Sequence, residues 1–294
     1  MHCPSCKHPS TTDHFSIKDH SVSQEIFDTK RCNKCSLVYT AEPPGPEQIG
    51  PYYESEEYVS HNETKKGFIF RLYHIVKNYS LKKKLLLLQR FSSGQTVLDY
   101  GCGAGAFLQY ISKQGYTAYG VEPSDIARKL AAEKGLSVQS SLKEAHIENK
   151  VDIITMWHVL EHVHDLHETI ETLKDKLNPN GYIFVAVPNH TSFDARFYKK
   201  HWAAYDVPRH LYHFNKKSMA TLMAVHQLSI IGIKNMPFDS FYVSMLSEQY
   251  VTKPLPKPIQ LLRACFIALI SNILGLNKNQ SSLIYVIQNA SNPK

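Results

Sequence analysis

The sequence predicts an α/β fold, a mostly parallel sheet with helices on both faces, behind a small metal-binding module. Three observations carry that expectation. From residue 93 onward, short apolar segments rich in β-branched and aromatic residues alternate with amphipathic ones, the rhythm of strand–helix–strand units. The turn "LDYGCGAGAF" at 98–107 places glycines between the first of these strands and the helix after it. Two C-x-x-C pairs, "CPSC" at 3–6 and "CNKC" at 32–35, stand ahead of both. With 294 residues the chain is long enough for one large domain with appendages or for two domains.

In chain order the cysteine pairs come first. Between Cys6 and Cys32, "FSIKD" and "SQEIFD" alternate like short strands, and a hairpin joining two such knuckles brings four sulfurs to the corners of a tetrahedron, as structural zinc requires. Cys3, Cys6, Cys32 and Cys35 are therefore the expected zinc ligands. A redox pair is the other use of C-x-x-C, but it needs a strand–helix–strand setting that neither pair has. "MHCPSCKHPS" has no apolar run of the kind found in a cleavable signal, so a cytoplasmic location is expected, where thiols stay reduced. "TAEPPGPEQIGP" at 40–51 reads as a linker. After "YYESEEY", the segment 65–91 carries Phe68, Leu72, Ile75, Val76 and Tyr79 at helical spacing. Packing is the plain role of this amphipathic helix, and Lys82, Lys83 and Lys84 offer membrane contact as another. The expected division is a module at 1–45, a linker and helical connector at 46–92, and the main domain at 93–294.

Strands are expected at 96–101, 117–123, 151–157 and 181–189, with a last pair at "IKNMPFD" (233–239) and "SLIYVIQN" (282–289). "AFLQYISKQG", "SDIARKLAAEKG" and "LHETIETLKDKLNPNG" read as helices between them, stopped by Gly115, by Gly135, and by Pro179 with Gly181. Gly101, Gly103 and Gly105 let the backbone pass close to a ligand and aim free helix N–H groups at it. A dinucleotide fingerprint spaces its glycines more widely, and here Asp99 sits two residues before the first. Glu122 ends the second strand, where an acid can accept hydrogen bonds from both hydroxyls of a ribose. The plainer account of the glycines is a tight strand-to-helix turn.

"VLDYGCGAG" with "YGVEP" resembles the class I S-adenosylmethionine-dependent methyltransferases, over about residues 93–239. The resemblance implies a Rossmann-like, doubly wound seven-stranded sheet, mostly parallel with the last strand antiparallel, and S-adenosylmethionine as cofactor. It implies that the loop through Gly101, Cys102 and Gly103, with Asp99 beside it, cradles the methionine part. Glu122 would hold the ribose, Pro123 and Leu142 would flank the adenine, and Met156 and Trp157 would lie at the strand end beside the cofactor.

"WHVLEH" at 157–162 holds His158, Glu161 and His162 in H-x-x-E-H spacing, which on one continuous helix makes a zinc protease site. Here His158 stands at a strand end, so the match reads as accidental, and in the family "LEH" recurs as a turn into the next helix. His164 and His167 read as solvated residues of a surface helix. Methyl transfer is an in-line displacement that needs an aligned acceptor and, for a hydroxyl, removal of a proton. The segment 188–219 is too long for a simple connection and dense in aromatics, His and Arg, the composition of a substrate-binding insertion. His210 is the first choice of base, with His190 and His158 behind it, while Trp202, Tyr212 and His213 are expected substrate contacts. A positioning mechanism without any base is the alternative.

"IQLLRACFIALISNILGL" at 259–276 has a single charge, Arg263. As a helix it would reach about 27 Å, borderline for a bilayer. If the strands on either side share one sheet, both its ends lie on one side, so a packed lid is favoured and contact with a membrane surface is the second reading. Insertions are thus expected at about 190–214 and 240–280. The formal charge of +7 lies at the ends of the chain, because residues 93–239 carry 15 Lys/Arg against 15 Asp/Glu. A neutral middle leaves little phosphate-binding footprint, which disfavours nucleic acid. The whole resembles zinc-ribbon methyltransferases of sugars and other small metabolites, so O-, N- or C-methylation of a small molecule, a sugar first, is the expected function. A ribosomal RNA methyltransferase with a zinc module and a non-catalytic zinc-module binding protein are the alternatives.

Overall fold

The computed structural model describes residues 2–53, 68–145, 147, 149–251 and 255–290, with the backbone alone for 68–74. The start of the expected helix before Phe68, the side chains of Phe68 and Leu72, and most of "YYESEEY" lie outside the described residues. In chain order the elements are β1 (Thr11–Lys18), β2 (Ile26–Cys32), β3 (Val38–Thr40), α1 (Phe68–Phe91), β4 (Thr96–Tyr100), α2 (Ala106–Ser112), β5 (Thr117–Val121) and α3 (Asp125–Ala132). There follow β6 (Val138–Gln139), β7 (Val151–Trp157), α4 (Leu166–Lys176), β8 (Leu177–Pro188), α5 (Phe193–Tyr198), β9 (Tyr212–His213) and α6 (Lys216–Val225). The last are β10 (Leu228–Asn235), α7 (Asp239–Tyr250), α8 (Lys257–Leu274) and β11 (Ser282–Asn289).

Seven strands form one sheet in the order β10-β11-β8-β7-β4-β5-β6. It is the expected Rossmann-like sheet, mostly parallel with the last strand antiparallel. β4 lies inside it, paired in parallel with β5 (Leu98↔Tyr119) and β7 (Leu98↔Ile154). Val97, Leu98, Ile153 and Ile154 are without solvent exposure, as strands covered on both faces require. Ser124 caps α3 by accepting from the Ala127 N–H, and Asn215 with Ser218 forms a capping box on α6.

Several boundaries depart from the sequence expectation. The strand expected at 233–239 is β10, which ends at Asn235, and α7 starts at Asp239 just beyond Pro237, whose missing N–H cannot continue a ladder. The helix expected to stop at Pro179 ends at Lys176 instead, and β8 begins at once. Asn178 precedes a proline, which favours extended backbone, and its side chain donates to Asp152 Oδ1 at 2.8 Å. β6 and β9 were invisible to periodicity because each is two residues long. His164 and His167 are half-buried and partnered rather than simply solvated: their rings lie 3.0 and 2.9 Å from the carbonyl oxygens of Pro44 and Pro4, and His167 Nδ1 lies 2.8 Å from His226 Nε2.

By internal contacts the chain forms two compact units, one of residues 1–58, 158–170 and 185–286, the other of 59–157, 171–184 and 287–294. In the first, β1, β2, β3 and β9 make a second, four-stranded sheet. Its last strand comes from the long insertion: Val38 pairs with His213 and Tyr39 with Tyr212, antiparallel. Ile17 and Val38 share an apolar cluster with Tyr198, Trp202, Tyr205, Val243 and Ile267. α8 turns Ala264, Ile267, Ala268 and Ser271 inward and leaves Leu262 and Phe266 exposed at 71% and 61%. By length and composition alone it is the one such helix, among the described residues, able to cross a membrane.

Asp194 is the polar anchor of this unit. Fully buried, it accepts from Trp202 Nε1 (2.7 Å), Ser271 Oγ (2.6 Å) and Ser281 Oγ (2.6 Å), tying α5, α8 and the approach to β11 to one carboxylate. Replacing Asp194→Ala strands three buried donors, so a loss of about 3–5 kcal/mol is expected from urea unfolding, against about 1 kcal/mol for Ser281→Ala, which removes one donor.

Candidate functional site

Two groups of residues have the chemistry of sites, one in each unit, and the cysteine cluster makes a third. In the second unit, the loop after β4 turns on glycines: φ is +72° at Gly101, +54° at Gly103 and +72° at Gly105. This left-handed region excludes most side chains. The N–H groups of Gly101 and Cys102 both donate to Val121 O, at 2.7 and 3.1 Å. Gly103 N–H donates to Glu122 Oε2 and Ser124 N–H to Oε1, each at 2.9 Å. The Glu122 carboxylate is therefore fixed to the backbone at both oxygens and keeps two further lone pairs for a ligand. A Cβ placed on Gly103 meets nothing within 4 Å, whereas on Gly105 it would run into the end of the Leu136 side chain. Gly103 borders open space, and Gly105 faces the Leu136 and Ala131 side chains.

Asp99 is buried under this loop and accepts from Thr155 Oγ1 at 2.6 Å. Burial pushes its carboxyl up to about 6, against the Thr155 hydrogen bond and the Lys84 charge. Burial likewise drives the Cys102 thiol up. Met156 is buried, Trp157 and Leu142 are half-buried and Pro123 is exposed. Lys84 Nζ lies 4.2 Å from the Trp157 ring centre, and Phe107 meets the same ring edge-on at 5.4 Å. The indole N–H of Trp157 is buried with no hydrogen-bond partner among the described residues. Open glycine space, a carboxylate with spare acceptor sites and an orphaned indole donor fit a ligand with hydroxyls and polar atoms, as the ribose and methionine parts of S-adenosylmethionine have.

The first unit holds a histidine–carboxylate cluster. His158 takes up φ +59°, a rare conformation for a side-chain-bearing residue, held by its N–H to Ala186 O at 2.9 Å. Its Nδ1 lies 3.3 Å from Glu161 Oε1 and its Nε2 3.1 Å from Asp239 Oδ2. Burial opposes the charge, yet the Asp239 and Glu161 carboxylates overrule it and push His158 up to about 10. Glu161, without solvent exposure, would be raised by burial, but the His158, His210 and His162 rings hold it below the usual carboxylate range. His162 donates Nδ1–H to Arg209 O (3.0 Å), and burial, then His210, pull it down to about 4. His210 donates Nδ1–H to Ala204 O (2.9 Å), with its ring centre 4.6 Å from that of His162. Arg209 beside them is engaged elsewhere, by Asp206 (2.6 Å), Asp19 (3.0 Å) and the Tyr52 carbonyl (2.7 Å).

Of the three histidines expected as base, the structure thus brings His158 and His210 into one cluster with Glu161 and His162. His190 belongs to another group of contacts: Asn215 Nδ2 donates to its Nε2 at 3.0 Å, and burial takes it down to about 4. The three expected substrate contacts are covered. Trp202 is bonded to Asp194, Tyr212 donates its hydroxyl to His164 O (3.1 Å) in the strand that completes the second sheet, and His213 is buried beside Tyr205. Asp239 and Asp206 were missed by sequence reasoning, because lone charged residues on distant elements carry no local spacing signal, and Lys84, read there only as a membrane contact, lies over Trp157 instead.

The four cysteines converge as their spacing implies. Cys3 and Cys35 sulfurs are 3.6 Å apart, as are those of Cys6 and Cys32, and all four lie within 4.8 Å of one another. Sulfurs about 2.3 Å from a tetrahedral zinc stand about 3.8 Å apart, so the cluster is compatible with that ion.

With this geometry in view, a family model described as a methyltransferase domain matches residues 73–232, more than half of the chain, and the chain belongs to that family. Among curated relatives it is similar to the ubiquinone biosynthesis O-methyltransferase of Actinobacillus pleuropneumoniae, 37% identical over 112 residues, covering 33% of this chain and 47% of the relative. The Pasteurella multocida protein of the same name is 36% identical over 117 residues, 34% of this chain and 48% of the relative. The chain spans about half the length of the curated relatives it matches. Among solved structures, magnesium protoporphyrin IX methyltransferase from Synechocystis with bound SAH is similar in fold, with a TM-score of 0.51 at 14% identity over 80% of this chain and 95% of that one. The plantazolicin methyltransferase BpumL in complex with SAH has a TM-score of 0.50 at 15% identity, over 80% and 91%.

The two loop glycines should separate in a stability measurement. Gly103→Ala is expected to cost about 1–2 kcal/mol, the strain of left-handed φ alone, while Gly105→Ala adds the collision with Leu136 and should cost more, read as the difference in urea midpoints.

Proposed function

We propose that this chain transfers a methyl group from S-adenosylmethionine to an oxygen of a small organic acceptor. The observation that carries the reading is the glycine loop whose Gly103 amide is tied to the Glu122 carboxylate, within the family match. When bound, S-adenosylmethionine supplies an electrophilic methyl on a sulfonium. The remaining work falls to the chain. Glu122 accepts from the ribose hydroxyls through the lone pairs left after its two backbone bonds, and Pro123 and Leu142 offer apolar surface to the adenine. The loop from Gly101 to Gly103 gives close approach to the methionine part, and Lys84 over Trp157 sets the charge at the strand end.

Proton removal from the acceptor calls for a group that is neutral near pH 7. His158 does not qualify, because two carboxylates keep it protonated. His190 already uses its Nε2 as an acceptor for Asn215. His210 gives Nδ1–H to the Ala204 carbonyl and has Nε2 3.9 Å from Asp206 Oδ2, so none of the three is assigned as base and the reading rests on positioning of the acceptor. The acceptor class rests on the relatives' printed name, which supports an oxygen; those names lend no support to a sugar.

We also infer one structural zinc on Cys3, Cys6, Cys32 and Cys35, supported by their sulfur spacing. Calorimetry with S-adenosylhomocysteine tests the first reading: the wild type should bind and Glu122→Ala should bind at least about tenfold more weakly, the equivalent of one lost charge-assisted hydrogen bond. No binding by the wild type would leave the non-catalytic reading in its place. For the zinc, Cys32→Ser should lose one equivalent by elemental analysis and lower the melting temperature by about 5 °C or more, since β2 and β3 lose their clamp.

A further inference from the structure

The cluster around Glu161 has the makings of a metal centre distinct from the cysteine site. One ligand atom from each of Glu161, His162 and His210 lies within 4.8 Å of the other two. Donors about 2.1 Å from a tetrahedral ion stand about 3.4 Å apart, inside that limit. Glu161 is wholly buried, and its Oε2 accepts no hydrogen bond among the described residues. A buried carboxylate oxygen is costly unless a donor or a positive partner meets it. Arg209, the guanidinium in the neighbourhood, is spent on Asp206, Asp19 and the Tyr52 carbonyl. Among the described residues the one ion pair to Glu161 comes from His158, and it is made to the other oxygen, Oε1, at 3.3 Å.

The two imidazoles add the second half of the case. His162 and His210 both donate Nδ1–H to a backbone carbonyl, those of Arg209 and Ala204. A carbonyl can only accept, so each bond uses Nδ1 as the donor and leaves Nε2 as the nitrogen open to a metal, which is how protein chains orient histidine ligands. We propose that Glu161, His162 and His210 bind one divalent first-row transition-metal ion, through one carboxylate oxygen and two Nε2 atoms, with the fourth position open. Two imidazoles and one carboxylate form a donor set suited to zinc and its neighbours rather than to magnesium or calcium. His158, between Glu161 and Asp239, then orients the ligating carboxylate and is not itself a ligand. His210 is a ligand here, not the free base that its sequence context suggests. The requirement for two histidines on one helix, which disqualified H-x-x-E-H, does not apply: the second imidazole comes from the long insertion after β8.

The site stands independently of methyl transfer, and metal content tests it without an activity assay. Full-length protein dialysed with micromolar zinc should carry two ions per chain by native mass spectrometry. Cys32→Ser should drop this to one, and His210→Asn or Glu161→Gln should each also drop it to one while retaining the cysteine-bound ion. Cobalt in place of zinc gives the independent signature: the wild type should show thiolate-to-cobalt charge transfer from the cysteine site together with the weaker visible bands of a nitrogen–oxygen site, and His210→Asn should keep the first and lose the second. Should Glu161→Gln fail to fold by circular dichroism, His210→Asn and the wild-type cobalt spectrum decide. One ion in the wild type, two in both cluster variants, or a second ion only at millimolar metal would each overturn the proposal.

Discussion

A carboxylate with no access to water organises one half of this protein. Glu161 sits in the short turn after β7 with no exposed surface, and its charge must be met by something other than solvent. The surrounding chain is arranged to that end. His158 adopts a left-handed backbone that sets its ring against Glu161, Asp239 holds the far nitrogen of that ring, and His162 and His210 close the remaining side. Leu211 N–H is bonded to the Glu161 carbonyl at 2.8 Å, so the insertion that carries His210 is fastened to the same residue. Asp206 and Arg209 neutralise each other alongside.

In the other unit the equivalent constraint is backbone conformation. Three successive alternate residues, Gly101, Gly103 and Gly105, take positive φ, and Glu122 bonds to the loop through Gly103. Here the local pattern was legible: glycine spacing and an acid at a strand end are short-range signals, and both lie where the motif implies. The four cysteines were legible for the same reason, since ligand spacing within each knuckle is a steric requirement. The long parallel strands were readable because burial on both faces writes a continuous apolar run.

What stayed hidden depends on pairs far apart in the chain. Nothing near Asp239 marks it as the partner of His158, and nothing in "YH" at 212–213 marks a strand. The turn at Asn178–Pro179 was read as a helix stop, although a proline also suits the start of an extended run, and Asp152 across the sheet decided between them. "WHVLEH" was set aside because a local rule asks for both histidines on one helix. Folding brings a third histidine, His210 of the long insertion, to Glu161 and His162, a meeting that no local spacing can reveal.

The pairing of β9 with β3 bears on how this chain is made. A ribosome releases the cysteine knuckles and the first three strands early, but Tyr212 and His213, which cover the outer edge of β3, follow about 170 residues later. At about 5–20 residues per second, that edge waits on the order of 10–35 s for its partner. Val38 and Tyr39, buried in the finished protein, are then open to any extended chain nearby. The nascent amino-terminal segment therefore has a defined period of vulnerability, which ends only when the distal insertion has emerged and returned to it.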